Sequence, residues 1–482
     1  MNAPVLWIVA PLLAAILLFL FRYWERPVTV TGAIFALVLA WLAWVIPVEE
    51  ALSIGPWSLK LNDALAVLGR RFVIADTDRG IISLIYLITA LWFGGALFAK
   101  PGHLFVPLGL GIVGLLIAAL AVEPFLFAAL FIELAVLFSV PILVPPGKTA
   151  GQGVLRFLSF QTLGTPFILF AGWMLGGLNT DALGSEAIIS PVVVMGFGFA
   201  LLLAVFPFHT WLPMMAEETH PYLAGFIFMI LPGIISLFGL GFFDRYAWLR
   251  DSTTVYGMLR AVGFLMALTG GVWAAFEKHL GRMLGFAAIV ENGMSLLTLG
   301  LGGENSLEIF FALLPPRALG YAIWALALSE IHARCGSAMR FRDLDFSGLE
   351  KLGIGRRLPF TVGGLVLAHL SVAGFPLLAG FPSRLALWES LATQYPVAAF
   401  GALLGSGGVL VGALRTLSVA VMAPEGEGET GEAGQHSPVT EPRSRKIFFS
   451  LAGFLLLLFG VFPHWFGPLL ARLPQAFEQM IP

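Results

Sequence analysis

The chain has 482 residues, of which 58% are apolar and only 12% charged, with a formal net charge of −2. A soluble domain of this length does not have that composition, so lipid is the solvent for most of these side chains. No basic patch points to nucleic acid, and the lone cysteine, Cys335, excludes an internal disulfide, a cysteine-held cluster or a zinc–thiolate site.

The first run, MNAPVLWIVAPLLAAILLFLF, lacks the basic start of a cleaved signal and reads as a retained membrane span. A helix needs about 20 apolar residues to cross the hydrocarbon, and runs of that kind predict an all-α, polytopic membrane protein with about 14 transmembrane helices. They lie near residues 4–22, 28–47, 80–98, 103–122, 124–144, 155–177, 188–207, 221–243, 256–276, 283–302, 307–332, 358–380, 394–422 and 447–471. Segment 424–446, EGEGETGEAGQHSPVTEPRSRK after Pro424, reads as a polar tether before the last span, in 447–482.

Loop charge sets the orientation. Loops after odd-numbered spans carry Arg22 and Arg26, Lys100, Lys148 and Arg156, Lys278 and Arg282, and the basic stretch Arg334 to Arg357. Loops after even-numbered spans are acidic or mixed, as in NTDALGSEA, although loop 48–79 holds Lys60, Arg70, Arg71 and Arg79. The majority places odd loops in the cytoplasm and both termini outward.

Two features interrupt this apolar pattern. Glu133 sits within PFLFAALFIELAVLFSVPIL, and Glu291 within RMLGFAAIVENGMSLLTLGL. A charged side chain at a bilayer midplane costs roughly 2.5–3.5 kcal/mol on insertion scales, so such an acid serves as a proton carrier, an ion ligand or half of a buried ion pair. Prolines form the second feature: Pro207 and Pro213 flank His209 in span seven, Pro232 lies in span eight, and Pro376 and Pro382 each follow Gly-Phe in span twelve. The ordinary reading is kinked helices; the alternative is discontinuous helices, as transporters use at midplane sites. Spans seven and twelve are five apart, as are the acid-bearing spans five and ten. An odd offset reverses direction through the membrane, which predicts an inverted-topology repeat after the N-terminal helices of 1–102, with halves at 103–243 and 256–423.

Four stretches resemble a known family. They are FIELAVLFSVPIL, FPFHTWLPMMAEETHPYLAG, GRMLGFAAIVENG and RLPFTVGGLVLAHLSVAGFPLLAGFPSRL, in matching order from roughly residue 100 to 425. Together they resemble the antiporter-like membrane subunits of respiratory complex I and Mrp-type cation/proton antiporters, as a diverged member. The resemblance implies that protons pass along a central polar axis of glutamate, lysine and histidine linked by water. Glu133 matches the family's span-five glutamate. The span-seven lysine that it tunes would fall near Leu202, where no basic residue is present, and span eight is uncharged until Asp244. Arg317 lies about one turn before the usual span-eleven lysine position near Gly320, on the same helix face.

The candidate proton pathway is therefore Glu133, His209, Glu291, Arg317, His369 and Arg415, with helix breaks at Pro207, Pro232 and Pro376. Each has a plainer alternative. His209 is an interfacial side chain at a span end, Glu291 and Arg317 form a static pair, and His369 is a structural histidine; Arg415 and Arg384 snorkel to headgroups. Carboxyl and imidazole groups can exchange protons near neutral pH, whereas arginine keeps its proton.

Three functions follow. The first is a proton-translocating membrane subunit of a complex I-like NADH/quinone oxidoreductase, with H⁺ (or Na⁺) as the ion, in a bacterial inner membrane beside other membrane subunits. The second is an Mrp-type antiporter component or the membrane partner of an inorganic-carbon uptake system. The third is a non-pumping scaffold. With no Gly-rich dinucleotide fingerprint and no cysteine cluster, the chain is expected to hold no cofactor or metal and to do no redox chemistry itself.

Overall fold

The computed structural model describes every residue except 1, 55–56, 68, 145–146, 148, 177–184, 336–340, 352, 422–440 and 481–482. Apolar runs fold as helices in lipid because the backbone must satisfy its own hydrogen bonds. In chain order they are α1 (Val5–Leu20), α2 (Glu25–Val45), α3 (Arg79–Ala99), α4 (Phe105–Ala121), α5 (Ala128–Leu143), α6 (Gln152–Gly176), α7 (Ser185–Leu202) and α8 (Trp211–Glu218). Then follow α9 (Pro221–Arg245), α10 (Thr253–Phe276), α11 (Leu280–Leu299), α12 (Glu304–Cys335), α13 (Pro359–Ala373), α14 (Phe381–Gln394), α15 (Pro396–Val421) and α16 (Arg443–Val461). Among the described residues, nine helices are long and apolar enough to cross a membrane, and four shorter apolar helices accompany them. The all-α, polytopic reading holds.

The chain divides into two compact units. The first comprises Met1–Trp211, Ile230–Thr253 and Pro468–Pro482; the second comprises Leu212–Met229 and Thr254–Gly467. In the first unit, loop 48–79 is not irregular. Strand Ala51–Ile54 pairs antiparallel with Trp57–Lys60, and Ala64–Val67 pairs with Arg70–Val73, which also meets Val122–Glu123. Arg70 and Arg71 are surface groups of the three-stranded sheet, where Arg71 meets Asp63 at 3.8 Å and Arg70 lies over the Phe127 ring. Arg79 instead opens α3 and donates to Ala43 O and Trp44 O at 3.0 and 2.8 Å.

In the second unit, glycine lets helices touch backbone to backbone, the small-residue packing common in membranes. A Cβ on Gly408 would come within 2.0 Å of the Gly271 carbonyl oxygen, and one on Gly405 within 2.6 Å of Ala267 O. Two buried acids fasten α16. The Glu441 carboxylate accepts from the backbone N–H groups of Phe360 and Thr361 (3.1 and 2.9 Å), capping α13 with negative charge where its N–H groups are free. Glu330 pairs with Arg334 at 2.9 Å and Arg445 at 3.1 Å. The end of the segment read as a tether, from Glu441 to Lys446, is therefore folded, and α16 starts at Arg443; residues 424–440 lie outside the described residues.

Two of the three predicted breaks are present. Helix α7 stops at Leu202, Ala204 takes a left-handed φ of 55°, and a short 3₁₀ turn, Phe208–Thr210, leads into α8. Helix α13 stops at Ala373, where Gly374 has φ 80° and Leu377 φ 70°, and the chain resumes as α14. The third is a correction: α9 runs unbroken through Pro232. That helix is 89% buried over its apolar window, so its neighbours hold it in place. Only one ladder bond is lost at a proline, and Ser236 Oγ donates to Pro232 O at 2.8 Å.

Candidate functional site: two buried acids in two settings

In the second unit, α11 carries Glu291 into a fully enclosed position, 4% exposed. Two arginines meet it from different helices. Arg317 on α12 donates from Nε to Glu291 Oε2 at 2.7 Å, and its terminal nitrogen donates to Glu291 O and Ser295 Oγ, both at 2.9 Å. Arg384 on α14 donates to Glu291 Oε1, to Ser406 Oγ at 2.9 Å and to Val372 O at 2.6 Å. Val372 stands in the last turn of α13, so Arg384 also takes up a carbonyl exposed by the helix break. Near this break, Gly380 N donates to Ser371 Oγ at 3.2 Å.

This arrangement has formal charge +1 from two guanidiniums and one carboxylate. A guanidinium offers donors only and keeps its proton, so the bonds made here suit the carboxylate form. The predicted Glu291–Arg317 pair is present. Arg384 is a correction: it does not snorkel to headgroups but is 2% exposed and bonded to the acid. Its place beside Pro382 in the break hid that role from the sequence, because a helix-end arginine and a break-filling arginine look alike there.

His369 on α13 is buried against Trp324 of α12, with ring centroids 3.9 Å apart and the rings tilted by 30°; its Nε2 makes no hydrogen bond among the described residues. Trp324 lies seven residues after Arg317, two turns along the same helix face. Arg415 lies apart from the acid. Its guanidinium donates to Ala275 O (2.5 Å) and Glu277 O (3.1 Å), capping the C-terminal end of α10. That position replaces the headgroup snorkelling expected of Arg415 with a helix cap.

In the first unit, Glu133 on α5 is half-buried and faces α6. Its carboxylate accepts from Thr162 Oγ1 at 2.7 Å and from Thr165 Oγ1 at 3.1 Å. Among the described residues no cation pairs with it. Around it, Leu130, Leu134, Leu137 and Leu163 are exposed, so this acid sits at an outward-facing apolar surface of its unit. His209 follows the α7 break and stacks on Phe206 at 5.3 Å, with its Nδ1 buried and unbonded among the described residues. Leu202, where the resemblance expects a lysine, is buried; the Gln161 side-chain amide donates to its carbonyl at 2.9 Å. Gln161 thus supplies the polar partner at this break. The sequence offered one signal for it, a glutamine set among apolar and hydroxyl side chains inside a membrane span.

The family model for NADH:quinone oxidoreductase/Mrp antiporter, TM, matches residues 158–409. The chain belongs to this family. It is 27% identical over 429 residues to NADH-quinone oxidoreductase subunit 13 of Thermus thermophilus, covering 83% of this chain and 85% of that one. Its fold superposes on a chain of respiratory complex I from Thermus thermophilus with bound NADH at a TM-score of 0.74, with 23% identity over 98% of this chain and 100% of that one. It superposes on a chain of the Mrp complex from Dietzia sp. DQ12-45-1b at 0.75, with 17% identity over 100% of this chain and 99% of that one. The protein is an antiporter-like membrane subunit of this complex I/Mrp family.

Proposed function

We propose that the chain conducts protons as one membrane subunit of a complex I-like assembly in a bacterial inner membrane, with both termini outward and redox chemistry carried by other subunits. One observation supports this reading most: Glu133 is held by two hydroxyls and, among the described residues, by no cation. A threonine hydroxyl both donates and accepts, so it can bond a carboxylate and, after rotating, a carboxylic acid. A group that takes up and releases a proton needs partners that tolerate both forms. In this reading Glu133 is the exchanging group, and Glu291 with Arg317 and Arg384 is a fixed charge whose field biases the path. His209 and His369, each with a ring nitrogen free of protein partners among the described residues, are the imidazoles available to it.

The test is the whole assembly in sealed vesicles, with proton uptake followed by a pH-sensitive dye under turnover. Glu133→Gln is expected to assemble normally and lose proton uptake. Undiminished uptake would remove Glu133 from the path.

A second reading, a subunit that holds the assembly together without pumping, has its own support. Glu291 is clamped by two groups that do not exchange protons, and a buried leucine stands where the resemblance expects a lysine. Under that reading Glu133→Gln changes neither assembly nor uptake.

A further inference from the structure

At one end of the first unit, α2, α3, α4 and the turn between α3 and α4 frame a cavity of about 170 Å³. Arg26, Lys100 and His103 line it, with one acid, Glu25, and its floor is apolar, including Val28, Leu97 and Phe105. Water occupies about 30 Å³ per molecule, so a phosphate group with part of its shell fits the volume. We infer that this cavity binds the phosphate of an anionic phospholipid, with the lipid's tails lying along α1 and α2.

The cations are built into the turn between α3 and α4. Lys100 caps α3 in the left-handed region, with φ 49°, and its N–H returns to Ala96 O. Gly102 follows at φ 108°, which turns the chain so that His103 stacks on Tyr23 at 5.3 Å. Arg22 lies over the same tyrosine ring at 4.5 Å, adding a further cation beside the cavity. Among the described residues neither Arg26 nor Lys100 forms an ion pair or a side-chain hydrogen bond, so both stay available to an external anion. With Glu25 counted, Arg26 and Lys100 still leave the lining positive. Basic pockets between helix ends are how membrane proteins hold anionic headgroups.

The surroundings favour a lipid over a free ion. Phe21, Tyr23 and Trp24 are exposed beside the cavity, the aromatic side chains that settle at headgroup level. Along the helices that lead away from it, Leu13, Leu17, Leu20, Ile34 and Trp41 are exposed, giving acyl chains an apolar track. The loop charges also assign this end to the cytoplasmic side, where anionic lipids attract basic segments.

The experiment places the assembled complex in nanodiscs of phosphatidylcholine containing a minority of phosphatidylglycerol and counts retained lipids by native mass spectrometry. Wild-type complex is expected to retain phosphatidylglycerol in preference to phosphatidylcholine. The double variant Arg26→Gln/Lys100→Gln is expected to reduce that retention at least tenfold, while Arg26→Lys/Lys100→Arg keeps it. Equal phosphatidylglycerol retention by the wild type and the Gln variant overturns the site. Complete displacement by millimolar inorganic phosphate overturns the lipid as occupant and leaves a free-phosphate site. If the Gln variant does not assemble, wild type is titrated with salt. Retention that falls as salt rises supports the site, because exposed charges are screened; retention indifferent to salt overturns it.

Discussion

Glu133 and Glu291 are the same residue type on two membrane helices, yet each unit surrounds its acid differently. Glu291 is enclosed and bonded to two guanidiniums; Glu133 is half-buried and bonded to two hydroxyls. The first set of partners supports one protonation state and fixes geometry. The second accommodates both states and fixes little. Burial alone therefore does not set which protonation states the surroundings of an acid accommodate; the donor and acceptor character of its partners decides.

The largest effect expected from breaking this contrast is at Glu291. Glu291→Gln leaves two buried guanidiniums without their counter-charge, and removing one member of a buried ion pair costs about 3–5 kcal/mol. Thermal unfolding of the purified complex should fall markedly, and an unchanged transition would show that the cluster does not hold the second unit together. The two helix breaks give the next comparison. A Cβ on Gly380 would sit 2.0 Å from Ser371 O, so Gly380→Ala should destabilise the second unit by about 1–3 kcal/mol as an overpacked site. Gln161→Leu in the first unit leaves the Leu202 carbonyl without its side-chain partner, a loss of about 1–2 kcal/mol. Limited proteolysis or hydrogen exchange near each break would separate the two, and equal protection in variant and wild type would contradict both. The smallest stability effect belongs to Glu133→Gln, within about 0.5 kcal/mol as for a site outside the packed core. If its thermal transition shifts as far as that of Glu291→Gln, the two acids are not in contrasting settings after all.

Most of the fold was legible in the sequence because lipid imposes a simple rule: long apolar runs become helices. Each predicted run falls on a helix, and Pro207 and Pro376 lie in real breaks. Pro232 did not break its helix, because packing around α9 outweighs one lost hydrogen bond. The strands of loop 48–79 were not foreseen, since four-residue strands carry no signal on the scale of a span. At the site, the Glu291–Arg317 pair was readable from two charges in apolar runs. Arg384 was not, because its proximity to Glu291, 93 residues away, depends on how the chain refolds after Gly374. The cap that Arg415 makes was hidden in the same way, because the carbonyls it meets, at Ala275 and Glu277, are 140 and 138 residues away in the chain.

Arg384 has one further consequence. Through a single guanidinium it joins the acid on α11, the hydroxyl of Ser406 on α15 and the last turn of α13. The backbone just before Gly374 and the Glu291 carboxylate thus share one side-chain partner. Displacing any one of these three elements would require Arg384 either to give up a buried hydrogen bond or to carry the other two with it.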